Sequence, residues 1–128
     1  MYIEAIKKDL PLCYTVEAQT KIAAKAGRLE DLKDLFEKEN SAETVENIIW
    51  VLAILMEAAV NREKVKCKML GEDYKGGEPP SYDELRMLIE VNELGKETIK
   101  EIFAAMSNGS QTTVEVKEEK GKNAKATQ

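Results

Sequence analysis

The sequence contains no histidine and only two cysteines. Histidine is the commonest general base near neutral pH and the commonest metal ligand, so most hydrolytic and metal-dependent mechanisms lose their central member. Cys13 and Cys67 lack the spacing of a redox or zinc motif, and we expect both to be reduced and structural. No glycine-rich stretch has phosphate-binding spacing either. We therefore expect no enzyme activity, no cofactor and no bound metal.

The chain also lacks a long apolar run and an excess of positive charge. Its longest apolar run, residues 48–56, has nine residues, about half of the roughly 20 that a membrane-spanning helix requires. The 24 acidic residues outnumber the 19 basic ones, and the net charge of -5 repels a phosphate backbone. Residues 1–8 do not have the pattern of a secretory signal. We therefore expect a cytoplasmic protein with neither a membrane nor a nucleic acid as its partner.

What is present is typical of one helical domain. A chain of 128 residues that is 43% hydrophobic and 34% charged is large enough for a single core. The first helix is predicted at residues 15–26, capped by Thr15 and ended by Gly27. Apolar residues at helical spacing predict four more helices. These sets are Leu29, Leu32, Leu35 and Phe36; Val45 to Ala59; Leu85, Leu88 and Ile89; and Ile99, Ile102, Phe103 and Met106. The predicted fold is mainly α, a compact bundle of about five helices.

The third predicted helix should be the centre of this bundle. It begins at Ser41 and is apolar on nearly all sides, which is typical of a helix buried on all sides. After Val60 it becomes polar and basic, so its far end should lie in water. Residues 71–80, GEDYKGGEPP, form a loop, and Ser81 with Glu84 has the spacing of a capping box that starts the next helix.

The two ends of the chain are predicted to be less regular. The first fourteen residues form either a short β-hairpin, with Lys7 to Asp9 as its turn, or an extended segment, because Pro11 cannot donate a ladder hydrogen bond. Residues 107–109 should end the last helix. Beyond them there is no Leu, Ile, Phe, Tyr or Trp to offset the entropy of ordering. We predict a helical domain over residues 1–106 and a disordered polar tail over residues 107–128.

Two sets of residues are candidates for contacting a partner. Trp50 belongs either to an aromatic recognition surface or, more in keeping with its apolar helix, to the core. Thr112, Val114 and Val116 alternate with polar residues, a pattern that either adds a strand to a partner's sheet edge or serves only as a linker.

The order of these features resembles a known family. The segments that carry the resemblance are LPLCYT at 10–15, GRLEDL at 27–32, IWVLAIL at 49–55, PSYDEL at 80–85, AAM at 104–106 and KNAKATQ at 122–128. In this layout, which covers essentially the whole chain, the protein resembles the small tail assembly chaperones of phages and prophages of Gram-positive bacteria.

The resemblance implies a factor that acts in the host cell cytoplasm and is absent from the mature virion. Such a protein binds and solubilises the tape measure protein and helps to recruit tail tube subunits around it; self-association is a further option. Two alternatives stay open at this point: a phage structural or head-tail joining protein, and a small helical regulator that binds a host protein.

Overall fold

The computed structural model describes residues 1–27, 33, 36 and 41–111, and within them the fold is mainly helical, as predicted. A two-stranded hairpin opens the chain, one long helix runs through the centre, and shorter helices pack against it. None of the helices in the described part of the chain is long and apolar enough to cross a membrane.

The hairpin pairs β1 (Tyr2–Ile3) with β2 (Lys8–Asp9) in antiparallel register. A 3-10 turn, Glu4–Ile6, and the left-handed Lys7 connect the strands. The predicted hairpin is therefore confirmed, but the predicted turn at Lys7 to Asp9 is wrong, because only Lys7 belongs to it. Ile3 pairs with Lys8 and is fully buried, so the register that places Ile3 in the core requires Lys8 to be in the strand.

An extended lead-in, residues 10–15, follows the hairpin and lies along the central helix. The Cys13 N–H donates to the Leu55 carbonyl oxygen at 3.1 Å. The N-terminal ammonium of Met1 donates to the Leu10 carbonyl at 2.6 Å, and the Leu10 N–H donates back to the Met1 carbonyl at 2.8 Å. These hydrogen bonds fix the hairpin and the lead-in against the helical core.

Helix α1, Val16–Ala26, confirms the first predicted helix. The Thr15 hydroxyl accepts a hydrogen bond from the Ala18 N–H at 3.2 Å, which satisfies one of the free amides of the first turn. Gly27 ends the helix with a φ of 84°, a conformation that favours glycine. Ala18 and Ile22 are the buried face of α1.

Helix α2, Ser41–Leu70, is the central element. Its 30 residues span about 45 Å. Val51, Leu52 and Leu55 are fully buried, while the last turns are exposed and basic, as predicted. The apolar part of α2 therefore forms the core and its polar end projects into solvent.

The second predicted helix lies mostly outside the described residues, which include only Lys33 and Phe36 from it, both helical. Leu29, Leu32 and Leu35 are outside the described residues. Phe36 is buried, and its ring packs edge to face on Phe103 with centroids 5.9 Å apart.

Helices α3, Tyr82–Leu88, and α4, Lys96–Gln111, complete the described fold. The predicted capping box is present: the Ser81 hydroxyl accepts from the Glu84 N–H at 3.1 Å, and the Glu84 carboxylate accepts from the Ser81 N–H at 2.8 Å. Leu85 of α3, together with Ile102 and Met106 of α4, is buried against α2 in the core.

The predicted end of the last helix at residues 107–109 is wrong, because α4 continues to Gln111. Serine and asparagine cost only a few tenths of a kcal/mol in a helix interior, and glycine about 1 kcal/mol, so a helix anchored by Ile102 and Met106 extends through them. The rest of the predicted tail, residues 112–128, is outside the described residues.

Candidate partner-binding groove

An open groove of about 940 Å³ lies where four separate parts of the chain meet. These are the hairpin with its lead-in, the outer half of α2, the 71–80 loop and α3. Most of its lining is apolar. The apolar lining residues are Ile6, Leu10, Pro11, Met56, Ala59, Val60, Cys67, Tyr74, Pro79, Pro80, Met87 and Leu88.

One face of α2 forms the floor of the groove. Met56, Ala59, Val60, Glu63 and Cys67 line it and recur at helical spacing, so they form one stripe along the helix. The stripe is apolar except at Glu63. The floor is therefore about three helical turns long, with Met56 and Ala59 largely buried and the charged Glu63 between Val60 and Cys67.

The 71–80 loop forms one wall, and a small set of contacts holds it in place. The Tyr74 hydroxyl donates to the Gly77 carbonyl oxygen at 2.6 Å. Lys64 of α2 lies 2.7 Å from the Glu78 carboxylate, with its ammonium 5.7 Å from the centre of the Tyr74 ring. Gly76 packs so closely on Tyr74 that an added Cβ would lie 2.4 Å from the hydroxyl oxygen. The wall is therefore preformed and fixed to α2.

Two exposed apolar side chains line the groove where it opens to solvent. Ile6, in the hairpin, is 42% exposed, and Met87, in α3, is 79% exposed. The unbranched, polarisable methionine side chain adapts to irregular apolar surfaces. Both residues therefore leave apolar surface exposed to solvent at the groove.

The charged groups of the groove fall into two classes. Each carboxylate has a polar contact: Glu63 lies 3.8 Å from the Lys66 ammonium, Glu78 pairs with Lys64, and Glu84 closes the capping box. In contrast, Lys8 and Lys75 make no ion pair with any residue in the described part of the chain. Among the described residues, the carboxylates that line the groove therefore have polar partners, while two ammonium groups do not have an ion-pair partner.

The structure locates one of the four predicted partner-contacting residues. Trp50 is partly buried, packs against the core and does not line the groove. The Lys25 ammonium lies over its ring, 4.6 Å from the centre, so the chain itself covers one face of the indole. These contacts favour a core role for Trp50. Thr112, Val114 and Val116 are outside the described residues.

Of the two cysteines, Cys13 packs partly buried against the core and Cys67 lies in the groove floor, and both are free thiols.

Next to Cys13 in the chain, burial raises the pKa of the Tyr14 hydroxyl above its ordinary value. The pKa of Tyr82 is also raised, first by burial and then by its hydrogen bond to the Glu46 carboxylate.

Sequence reasoning missed the groove and its exposed apolar residues. The sequence of the 71–80 segment predicts only a loop, although Tyr74 and the two prolines in it supply apolar surface. Met87 gave a usable signal, because it lies off the apolar face formed by Leu85 and Ile89 in a short amphipathic helix. One exposed apolar side chain is common on protein surfaces, and Met87 becomes informative only because it continues the apolar lining of the groove.

Comparison of the chain with protein families, with curated protein sequences and with solved structures finds no match.

Proposed function

We propose that this protein is a phage tail assembly chaperone that holds an amphipathic helix of the tape measure protein in the apolar groove. By covering that helix it keeps the partner soluble until tail tube subunits, which it helps to recruit, take its place. The groove is the observation that supports the proposal, and the resemblance in sequence layout supplies the identity of the two partners.

The dimensions of the groove suit one stretch of helix. From Met56 to Cys67 its floor extends about 17 Å, the length of about eleven helical residues. A helix of that length presents three or four side chains on its apolar face. Laying an amphipathic helix into an apolar groove of this kind is a common mode of peptide recognition.

The energetics suit reversible binding. Burying one large aliphatic side chain gains about 1.5 to 3 kcal/mol, so three or four anchors gain roughly 5 to 12 kcal/mol. The loss of translational and rotational freedom on association, about 4 to 15 kcal/mol, offsets much of this gain. A single groove therefore binds a helix weakly enough to release it, as an assembly factor must.

The charge of the protein supports the solubilising role. Tape measure proteins are long, helical and prone to aggregate, and a chain with a net charge of -5 adds repulsion between the complexes it forms.

The test is co-expression of the full chain with the tape measure protein from the same genome, scored by whether that partner becomes soluble and co-purifies. We expect Met87→Glu, which places a charge at the groove, to abolish co-purification. Met69→Glu is the matched control, because Met69 is 82% exposed on α2 and does not line the groove.

Four results would contradict the proposal. An insoluble tape measure protein beside free chaperone would contradict the proposed function itself. Equal loss of co-purification in both methionine variants would contradict the groove as the binding site. Stoichiometric amounts of the protein in purified virions would favour a structural role, and tight binding to a host protein without phage partners would favour a regulatory one.

A further inference from the structure

We infer that the groove selects a helix whose apolar stripe is bordered by acidic side chains. The inference rests on the proposed function, because it names the chemistry of the helix that the groove accepts. The observation behind it is which charged groups of the groove already have polar partners, and not the net charge of the chain.

The carboxylates of the groove already have partners. Glu78 lies 2.7 Å from the Lys64 ammonium, in the contact that fixes the loop wall to α2. Glu84 accepts the Ser81 N–H at 2.8 Å at the start of α3. A basic helix would have to compete with these contacts, and breaking them would loosen the wall and the helix that form the groove.

The ammonium groups of Lys8 and Lys75 are in the opposite situation. Lys8 belongs to β2 and Lys75 to the 71–80 loop, so positive charge reaches the groove from two different elements. Both side chains are exposed, and neither forms an ion pair within the described part of the chain. They can pair with incoming carboxylates without breaking an ion pair to any residue that the structure describes.

The apolar surroundings strengthen this preference. When a helix covers the groove, water is excluded from the neighbourhood of both lysines, and a charge pair at the edge of an apolar contact is screened less than one in open solvent. The chain as a whole is acidic and repels acidic peptides at long range. The preference therefore applies to helices that also carry an apolar stripe.

The test uses the full chain and three labelled peptides of about 14 residues that share one apolar stripe, flanked by glutamate, glutamine or lysine. Affinity is measured by fluorescence anisotropy at low and high salt. We expect the glutamate peptide to bind roughly tenfold more tightly than the lysine peptide at low salt, since each exposed ion pair contributes up to about fivefold. The difference should shrink at high salt.

Two double variants complete the design. Lys8→Gln with Lys75→Gln should remove most of the preference for the glutamate peptide. Lys96→Gln with Lys100→Gln makes the same change of charge on α4, away from the groove, and should retain the preference.

The outcomes separate this inference from the proposed function. If the three peptides bind equally and Met87→Glu abolishes all of them, the groove binds helices but the acidic preference is wrong. If both double variants lose the preference equally, it arises from overall charge and the inference is also wrong. If no peptide binds, the groove is not a helix site and both proposals fail.

Discussion

Replacing Gly76 by alanine should displace the Tyr74 ring from its place in the loop wall. The added Cβ would lie 2.4 Å from the Tyr74 hydroxyl oxygen and 2.6 Å from the ring carbon that bears it, so the ring must move. The ring would then lose the hydrogen bond to the Gly77 carbonyl, 2.6 Å long, and its contact with the Lys64 ammonium. The hydrogen bond contributes about 0.5 to 1.5 kcal/mol and an exposed cation–π contact about 0.5 to 1 kcal/mol.

Gly77→Ala is the matched control. No atom lies within 4 Å of a Cβ built at Gly77, so alanine fits there. Both substitutions reduce the entropy of the unfolded chain, which by itself stabilises by about 0.4 to 1 kcal/mol, and this effect cancels in the comparison. We expect the free energy of unfolding of Gly76→Ala to be about 1 to 2 kcal/mol below that of Gly77→Ala.

Urea unfolding followed by circular dichroism measures this difference, and unchanged slopes would show that the compactness of both states is preserved. The same pair of variants in a Tyr74→Ala background closes a double-mutant cycle. With the ring absent, the two glycine substitutions should cost the same. Equal stability of the two variants beside an intact Tyr74, or a difference that survives without it, would refute the reasoning.

Three further predictions concern the fold. Leu52→Ala should lower the free energy of unfolding by about 2 to 5 kcal/mol, because Leu52 is 0% exposed in the core. Leu70→Ala, at a 61% exposed position of the same helix, should change it by less than about 0.5 kcal/mol. Similar losses in the two variants would contradict the position of α2. Ser81→Ala should cost about 0.5 to 2 kcal/mol by removing the cap of α3, and Ser107→Ala, within α4, should cost nothing in the same denaturation assay. Burial raises the pKa of Tyr14, so its neutral form stabilises the fold below about pH 10, and this contribution is lost as the pH rises through the raised pKa. Tyr14→Phe should therefore lose less stability than the wild type between about pH 9 and pH 11. An identical loss in both proteins would contradict the assignment.

Local patterns in the sequence were sufficient to predict the helices and their caps. The spacing of apolar residues predicted α1, α2, α3 and α4, because one face of a helix is made of residues only three or four positions apart. Thr15 and Ser81 were predicted as caps, and both hydroxyls accept the expected amide hydrogen bonds. These features depend on neighbouring residues alone.

Features that depend on distant residues were predicted less well. The turn of the hairpin was misplaced, because its register follows from the burial of Ile3 in a core that the rest of the chain supplies. The end of α4 was placed too early, because the low helix propensity of residues 107–109 is outweighed by the anchoring of the preceding turns.

The sequence by itself determined the helical class of this protein, its acidic charge and the central position of α2. Only the tertiary structure decided where the apolar surface is left uncovered and which charges there are already paired. The groove brings Ile6 together with Met87, more than eighty residues away in the chain, and the loop wall depends on Lys64 reaching across to Glu78. Periodicity assigns each residue to a face of its own helix, but a groove between elements exists only after those elements have packed.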